Sequence, residues 1–265
     1  MTRSTRILVL ASLAVSTALT LTTAGTFATP IVSDGFSGTS GTDINGRTPD
    51  GANLPGGTWS VYQQNAGGTS PMTLTTVSQT NAVSTNFNDS AGISITSANG
   101  YTEPSVLNIS GEVYVNNSTA VGIGFLSGFP AAGSGTDSGT TFSGVQWNGG
   151  LKDLFLQQGT NNTYLGNFNA LSLDAFYTLS YTIDTSTGNI SNLTFDGSSV
   201  ATPTASFFTP ANTALAGFYA TSGAVTDTAY VANFSVSGAV PEPGALAILG
   251  ASATALLIWK RRVAV

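Results

Sequence analysis

Alternation with a period of two runs through the middle of this chain. Leu107, Ile109, Val113 and Val115 fall on one face of an extended segment, while Asn108, Ser110, Glu112 and Asn116 fall on the other. Tyr177, Leu179, Tyr181 and Ile183 repeat the pattern opposite Thr178, Ser180, Thr182 and Asp184, and Val121, Ile123 and Phe125 alternate with glycines. Further on, the same rule groups Tyr230, Ala232, Phe234 and Val236 against Val231, Asn233, Ser235 and Ser237. Successive side chains of a strand point to opposite faces, so these runs predict strands with one face buried. Turn chemistry separates them at Asn116-Asn117-Ser118, Asn148-Gly149-Gly150, Thr187-Gly188-Asn189 and Asp196-Gly197. Nothing between residues 29 and 239 sustains the 3.6-residue apolar period of a long amphipathic helix, and no internal repeat suggests a propeller or solenoid. Residues 35–57, rich in Gly, Pro, Asp and Asn, read as an ordered N-terminal loop, and Trp59 after them as a core or sheet-closing residue. Short strands at this spacing predict an all-β fold, a two-sheet antiparallel sandwich.

Both ends of the chain break this pattern. Arg3 and Arg6 precede an apolar stretch over residues 7–21, and Thr26-Phe27-Ala28 offers small residues to a signal peptidase. Residues 1–28 therefore read as a Sec signal peptide cut after Ala28, with Ala24 as second choice and a retained anchor helix as the alternative. At the other end residues 244–259 carry no charge and would span about 24 Å as a transmembrane helix, just short of the usual bilayer length. Lys260, Arg261 and Arg262 follow and would hold the tail on the cytoplasmic side, with Trp259 at the lipid boundary. Val240-Pro241-Glu242-Pro243 stands just ahead of the apolar run. This order of parts resembles the sorting tail of PEP-CTERM proteins, an exported bacterial family processed by an exosortase. The resemblance implies passage through the inner membrane, delivery to the cell surface or extracellular matrix, and association with exopolysaccharide. A plain stop-transfer anchor is the alternative for the same residues. The chain then divides into a signal peptide (1–28), a β-sandwich domain (29–239) and a sorting tail (240–265).

Charge narrows the function of the central segment. It holds twelve of the thirteen acids but only Arg47 and Lys152 of the seven bases, a net charge near −10 that would repel a phosphate backbone and excludes nucleic acid as a partner. Cysteine and histidine are both absent. Their absence excludes disulfides, zinc sites built on Cys or His, and hydrolases with a histidine base. Serine and threonine make up roughly a quarter of the chain, which suits many strands and tight turns. No metal site is assigned and no cofactor is expected. Calcium is the one ion that the available oxygen ligands would serve, through Asp137 or Asp184, although an Asp in a turn commonly caps its own backbone. Sequons at Asn108 and Asn192 are expected by chance in so Asn-, Ser- and Thr-rich a chain.

A second resemblance spans most of the central segment. Asp34-Gly35-Phe36, Ile44-Asn45-Gly46-Arg47-Thr48-Pro49-Asp50 and Gly56-Gly57-Thr58-Trp59 are similar to the opening of bacterial concanavalin A-like lectin/glucanase domains. The strand from Tyr177 to Asp184 with its following hairpin, and Val231-Ala232-Asn233-Phe234-Ser235-Val236 as a closing strand beside the first, are similar to later parts of the same fold. The resemblance implies a jelly-roll sandwich. Its glucanases carry a Glu-x-Asp-x-x-Glu strand, because a nucleophile and an acid must face one cleft about 5 Å apart. That strand is missing: the domain has only Glu103 and Glu112, and its closest acidic pair along the chain is Asp43 and Asp50. No catalytic residue is assigned, and the chain is not expected to be an enzyme. The lectin branch needs aromatic faces beside planar polar groups. Gln146-Trp147-Asn148 ahead of Gly149-Gly150 is the local candidate, with Tyr164 and Asn161 as neighbours, while the ordinary role for Trp147 is packing at the sandwich edge. The expected function is an exported surface or matrix protein that binds, or is embedded in, exopolysaccharide. The alternatives are a structural matrix protein with no discrete ligand and a divergent glycoside hydrolase.

Overall fold

A computed structural model describes residues 28–54, 56–62, 72–85, 88–96, 104–116, 119–130, 138–203, 215–221 and 228–238. The signal segment up to Phe27, the tail with Pro241, Glu242, Pro243, Lys260, Arg261 and Arg262, and the acids Glu103 and Asp137 lie outside the described residues. Among the described residues no helix is long and apolar enough to cross a membrane.

The described chain forms two antiparallel sheets. The eight-stranded sheet contains β1 (Thr29–Asp34), β3 (Thr73–Val77), β4 (Thr80–Thr85), β6 (Val106–Val115), β11 (Phe176–Asp184), β12 (Asn189–Phe195), β13 (Ser198–Ser199) and β15 (Ala229–Gly238). Its order is β13-β12-β11-β6-β15-β4-β3, and β1 also pairs with β15. The seven-stranded sheet is built from β2 (Ser60–Tyr62), β5 (Asp89–Ser94), β7 (Ala120–Leu126), β8 (Phe142–Asn148), β9 (Asp153–Gln158), β10 (Asn161–Asn167) and β14 (Leu215–Thr221), in the order β10-β9-β8-β7-β14-β5-β2. A 3₁₀ turn, Ser138–Thr141, precedes β8. The chain changes sheet at β1 to β2, β2 to β3, β4 to β5, β5 to β6, β6 to β7, β10 to β11, β13 to β14 and β14 to β15. Sheet switching of this kind lets the inner faces of both sheets share one core.

The alternations read from the sequence set that core. Leu107, Ile109, Val113 and Val115 of β6 and Leu179, Tyr181 and Ile183 of β11 are buried against Val121, Ile123 and Phe125 of β7. The Tyr181 hydroxyl crosses the core and donates to the Ile123 carbonyl at 3.0 Å, and this burial pushes its pKa up. Two aromatic nests fill the ends. Trp59 packs on Phe36, Phe218 and Phe234 with ring centroids 5.4–5.7 Å apart, as a core residue should. Trp147 packs on Phe195 at 5.0 Å and on Phe168 and Tyr177.

In β15 the simple alternation fails. Asn233 takes a left-handed conformation with φ of 48°, and the pairing with β6 slips between Ala232 and Ser235. This β-bulge inserts an extra residue and changes the phase of the strand. Ala229 and Val231 face the core before it, Phe234 and Val236 after it, and Tyr230 turns outward onto Tyr114 at 5.1 Å between ring centroids.

The N-terminal loop is held by charge. Asp34 is buried at the end of β1, where it accepts from Phe36 N at 2.8 Å and Trp59 Nε1 at 2.7 Å and pairs with Arg47. Arg47 also pairs with Asp50, which accepts from Ser37 N at 2.6 Å. Burial pushes the Asp34 carboxyl above its ordinary pKa against the pull of these partners. Burial also pushes the less enclosed Asp50 upward, but its bonds to Ser37 and the Arg47 charge prevail and hold it low.

A row of glycines crosses the seven-stranded sheet. Gly92, Gly217, Gly124 and Gly144 stand opposite one another on four adjacent strands. A Cβ at Gly217 would lie 1.9 Å from the Ala91 carbonyl oxygen, and one at Gly124 or Gly144 2.3 Å from a carbonyl of the next strand. These positions exclude any side chain of their own, and Phe142, Leu126 and Leu215 lean over the backbone from beside the row.

Candidate functional site

Beside the glycine row lies a second row with side chains. Tyr219 of β14, Gly122 of β7, Gln146 of β8, Phe155 of β9 and Tyr164 of β10 are successive cross-strand neighbours on the outer face. At Gly122 the space of a side chain is taken by the Phe142 ring, whose Cζ would lie 3.0 Å from an added Cβ. The glycine row continues as Gly144, Gln157 and Asn162. Around these residues opens a pocket of about 310 Å³, closed at its rim by Thr221, by Gly139 and Thr140 of the 3₁₀ turn, and by the Gly159-Thr160 turn.

The Gln157 amide in this pocket is oriented by hydrogen bonds, whereas the Gln146 amide can turn its Nε2 donor toward a ligand. Gln157 Nε2 donates to the Gly159 carbonyl at 3.0 Å and to the Gly139 carbonyl at 3.4 Å. Only the amide nitrogen can donate to two carbonyls, so the other end of the group, Oε1, is fixed as an acceptor. Among the described residues that Oε1 has no hydrogen-bond partner, and neither has Gln146 Nε2. The two side chains are only 7 % and 4 % exposed. An unpaired buried polar atom costs about 1–3 kcal/mol, so this pocket presents one acceptor and one donor whose pairing would be favourable. Among the described residues no carboxylate, amine or guanidinium lines it. Next to it the Tyr164 ring, 56 % exposed, meets the partly buried Phe155 edge to face at 6.1 Å and forms an open aromatic platform.

Of the residues singled out in the sequence, Gln146 lines the pocket and Tyr164 stands on the same face in the same row. Trp147 does not belong to the site: its indole is fully buried among core rings and offers no face to a sugar. The reason is the strand period, since Gln146 and Trp147 are adjacent on β8 and must point to opposite sides of the sheet. Asn148 sits at the strand end, where its Oδ1 accepts from Leu151 N at 3.0 Å and caps the turn into β9. Gln157, Asn162, Tyr219 and Thr221 were not singled out, because their convergence depends on pairing between strands far apart in sequence.

The acids are occupied elsewhere. Asp184 Oδ1 accepts from the Ser186 hydroxyl at 2.6 Å, from Ser186 N at 2.9 Å and from Thr187 N at 3.3 Å, which caps the hairpin turn and holds its pKa below the ordinary value. Asp43 Oδ1 caps Asn45 N at 2.9 Å, and Asp50 belongs to the Arg47 clasp. Among the described residues no three acidic, His or Cys side chains group as metal ligands. The pocket itself is suited to exchanging hydrogen bonds and packing against rings.

No family model and no curated protein matches this chain. Among solved structures it is similar to the botulinum neurotoxin type G receptor binding domain, at 12 % identity and a TM-score of 0.46 over 80 % of this chain and 48 % of the other. The match thus spans about half of that chain. It is also similar to the metal-free carbohydrate recognition domain of Emp46p, at 12 % identity and a TM-score of 0.45 over 76 % of this chain and 97 % of the other. A third is the carbohydrate esterase vb_24B_21 from the Shiga toxin-encoding bacteriophage phi24B, at 14 % identity and a TM-score of 0.43 over 80 % and 100 %.

Proposed function

We propose that this chain is an exported bacterial cell-surface or matrix protein whose β-sandwich binds a neutral exopolysaccharide through the pocket on its seven-stranded sheet. The observation that carries the reading is the buried, unpartnered pair of Gln146 Nε2 and Gln157 Oε1 beside the exposed Tyr164 ring. Sugar hydroxyls donate and accept, and sugar C–H faces pack on aromatic rings, so such a ligand answers both features. A lining without carboxylates supplies neither the acid nor the nucleophile of glycoside hydrolysis, which favours binding over cleavage. The strand order and sheet-switching connections support a concanavalin A-like jelly roll. In this reading Sec and signal peptidase act on residues 1–28. An exosortase reads Pro241, Glu242 and Pro243 while residues 244–259 sit in the inner membrane with Lys260, Arg261 and Arg262 inside.

A glycan array on the detergent-solubilised full-length chain tests the binding role. Tyr164→Ala should weaken the strongest neutral ligand by about tenfold, roughly the worth of one aromatic contact, with an unchanged thermal midpoint. An array blank at millimolar glycan would sink the reading. Sorting is tested separately, by replacing Pro241, Glu242 and Pro243 with alanine in an exosortase-bearing host: unprocessed protein should accumulate, and unchanged processing would return the tail to a plain anchor.

A further inference from the structure

Resting on that glycan-binding reading, we infer that the pocket recognises an acetamido group, so that the ligand is a polysaccharide containing N-acetylated amino sugars. The two unpartnered atoms differ in kind. Gln157 Oε1 can only accept, and its orientation is locked by the bonds from Nε2 to the Gly139 and Gly159 carbonyls. Gln146 Nε2 can only donate. Gln157 and Gln146 lie on adjacent strands, two residues out of step, because Gln157 pairs with Gly144 and Gln146 with Phe155. Diagonal neighbours of this kind have backbones about 7–8 Å apart, within reach of one small group placed between two glutamine side chains. An acetamido group carries one N–H donor and one carbonyl acceptor on opposite sides of a planar unit, the complement of this pair. Its methyl group needs an apolar surface, and the Tyr219 ring in the pocket lining provides it.

The other common sugar substituents fit less well. A uronate or sulfate would enter a pocket without a cation in a domain that is itself acidic, and a free amine would find no carboxylate. A hydroxyl satisfies either atom alone but places no methyl against the Tyr219 ring.

The test is calorimetric titration of the full-length chain with three trisaccharides of the same linkage: the N-acetylglucosamine trimer, its de-N-acetylated amine form and the glucose trimer. The acetylated trimer should bind at least about tenfold more tightly than the other two, the discrimination expected when one polar group is left unpaired. Saturation-transfer NMR should place the strongest protein contact on the acetyl methyl. Gln146→Met keeps the side-chain volume and removes an amide whose Nε2 bonds nothing among the described residues, so it should lower acetylated-trimer affinity about tenfold without changing the fold. Equal binding of all three, or preference for glucose, would overturn the acetamido inference and leave the glycan-binding reading standing. Failure of all three while another neutral glycan binds would do the same. If no glycan binds, the broader reading fails as well.

Discussion

Trp147 is the residue whose replacement separates a core role from a ligand role. Its indole contacts Phe168, Tyr177 and Phe195 and is shut off from solvent. Trp147→Ala should therefore cost about 3–5 kcal/mol, the usual penalty for emptying a large aromatic site, read as a lower urea midpoint. A full loss of glycan binding at unchanged stability would contradict this. The sequence contained half of the warning: Gln146 and Trp147 are adjacent in a strand, and one of them had to face inward. It did not contain the partner positions, because Gln157 and Tyr219 reach Gln146 only through pairings across β9 and through β7 to β14. A single strand reveals its own period, whereas a pocket is a property of several registers together.

Two elements bear specific loads. In the glycine row, Gly217→Ala would push a methyl to 1.9 Å from the Ala91 oxygen, and only backbone movement relieves it. The expected loss lies at or above the upper end of the roughly 1–3 kcal/mol typical of overpacking, visible as a lower thermal midpoint. In the N-terminal clasp, Arg47→Met would leave Asp34 buried without its cation, with an expected loss of about 3–5 kcal/mol by chemical denaturation. The pH response of the clasp has two signs. Asp50 is held below its ordinary pKa, so its contribution is complete above about pH 4 and is lost as pH falls through the folded value. Asp34 is raised, so the cost of ionising it in the folded protein disappears as pH falls through its own folded value. Asp50→Asn should consequently make the acid limb of a stability profile shallower, and a steeper limb would refute the assignment. The loop was legible as ordered, and Trp59 as core. The β15 bulge was not, because an asparagine that tolerates a positive φ looks in sequence like any polar strand residue.

At the scale of the whole domain, charge and binding part company. Residues 29–239 are strongly acidic, yet among the described residues no ionic group lines the pocket, so the proposed binding of a neutral glycan should change little over about a tenfold range of salt. A steep salt dependence would point to an anionic polymer bound elsewhere. The two-sheet architecture followed from alternation and turns, but the strand order did not, and the order governs when the domain can form. β15 lies between β6 and β4 and also carries β1, while β14 lies between β7 and β5. Each sheet therefore has near its middle the strand that comes last in the chain. Until residues 215–238 arrive, β6 and β7 face open gaps and their apolar faces lack the neighbours that would cover them. Contacts of such long sequence separation form late and slowly. A chain ending before Ala229 should show no cooperative unfolding transition, and a native-like one would disprove the dependence. In a chain delivered from its N-terminus, the same arrangement postpones collapse until nearly all of the domain is present.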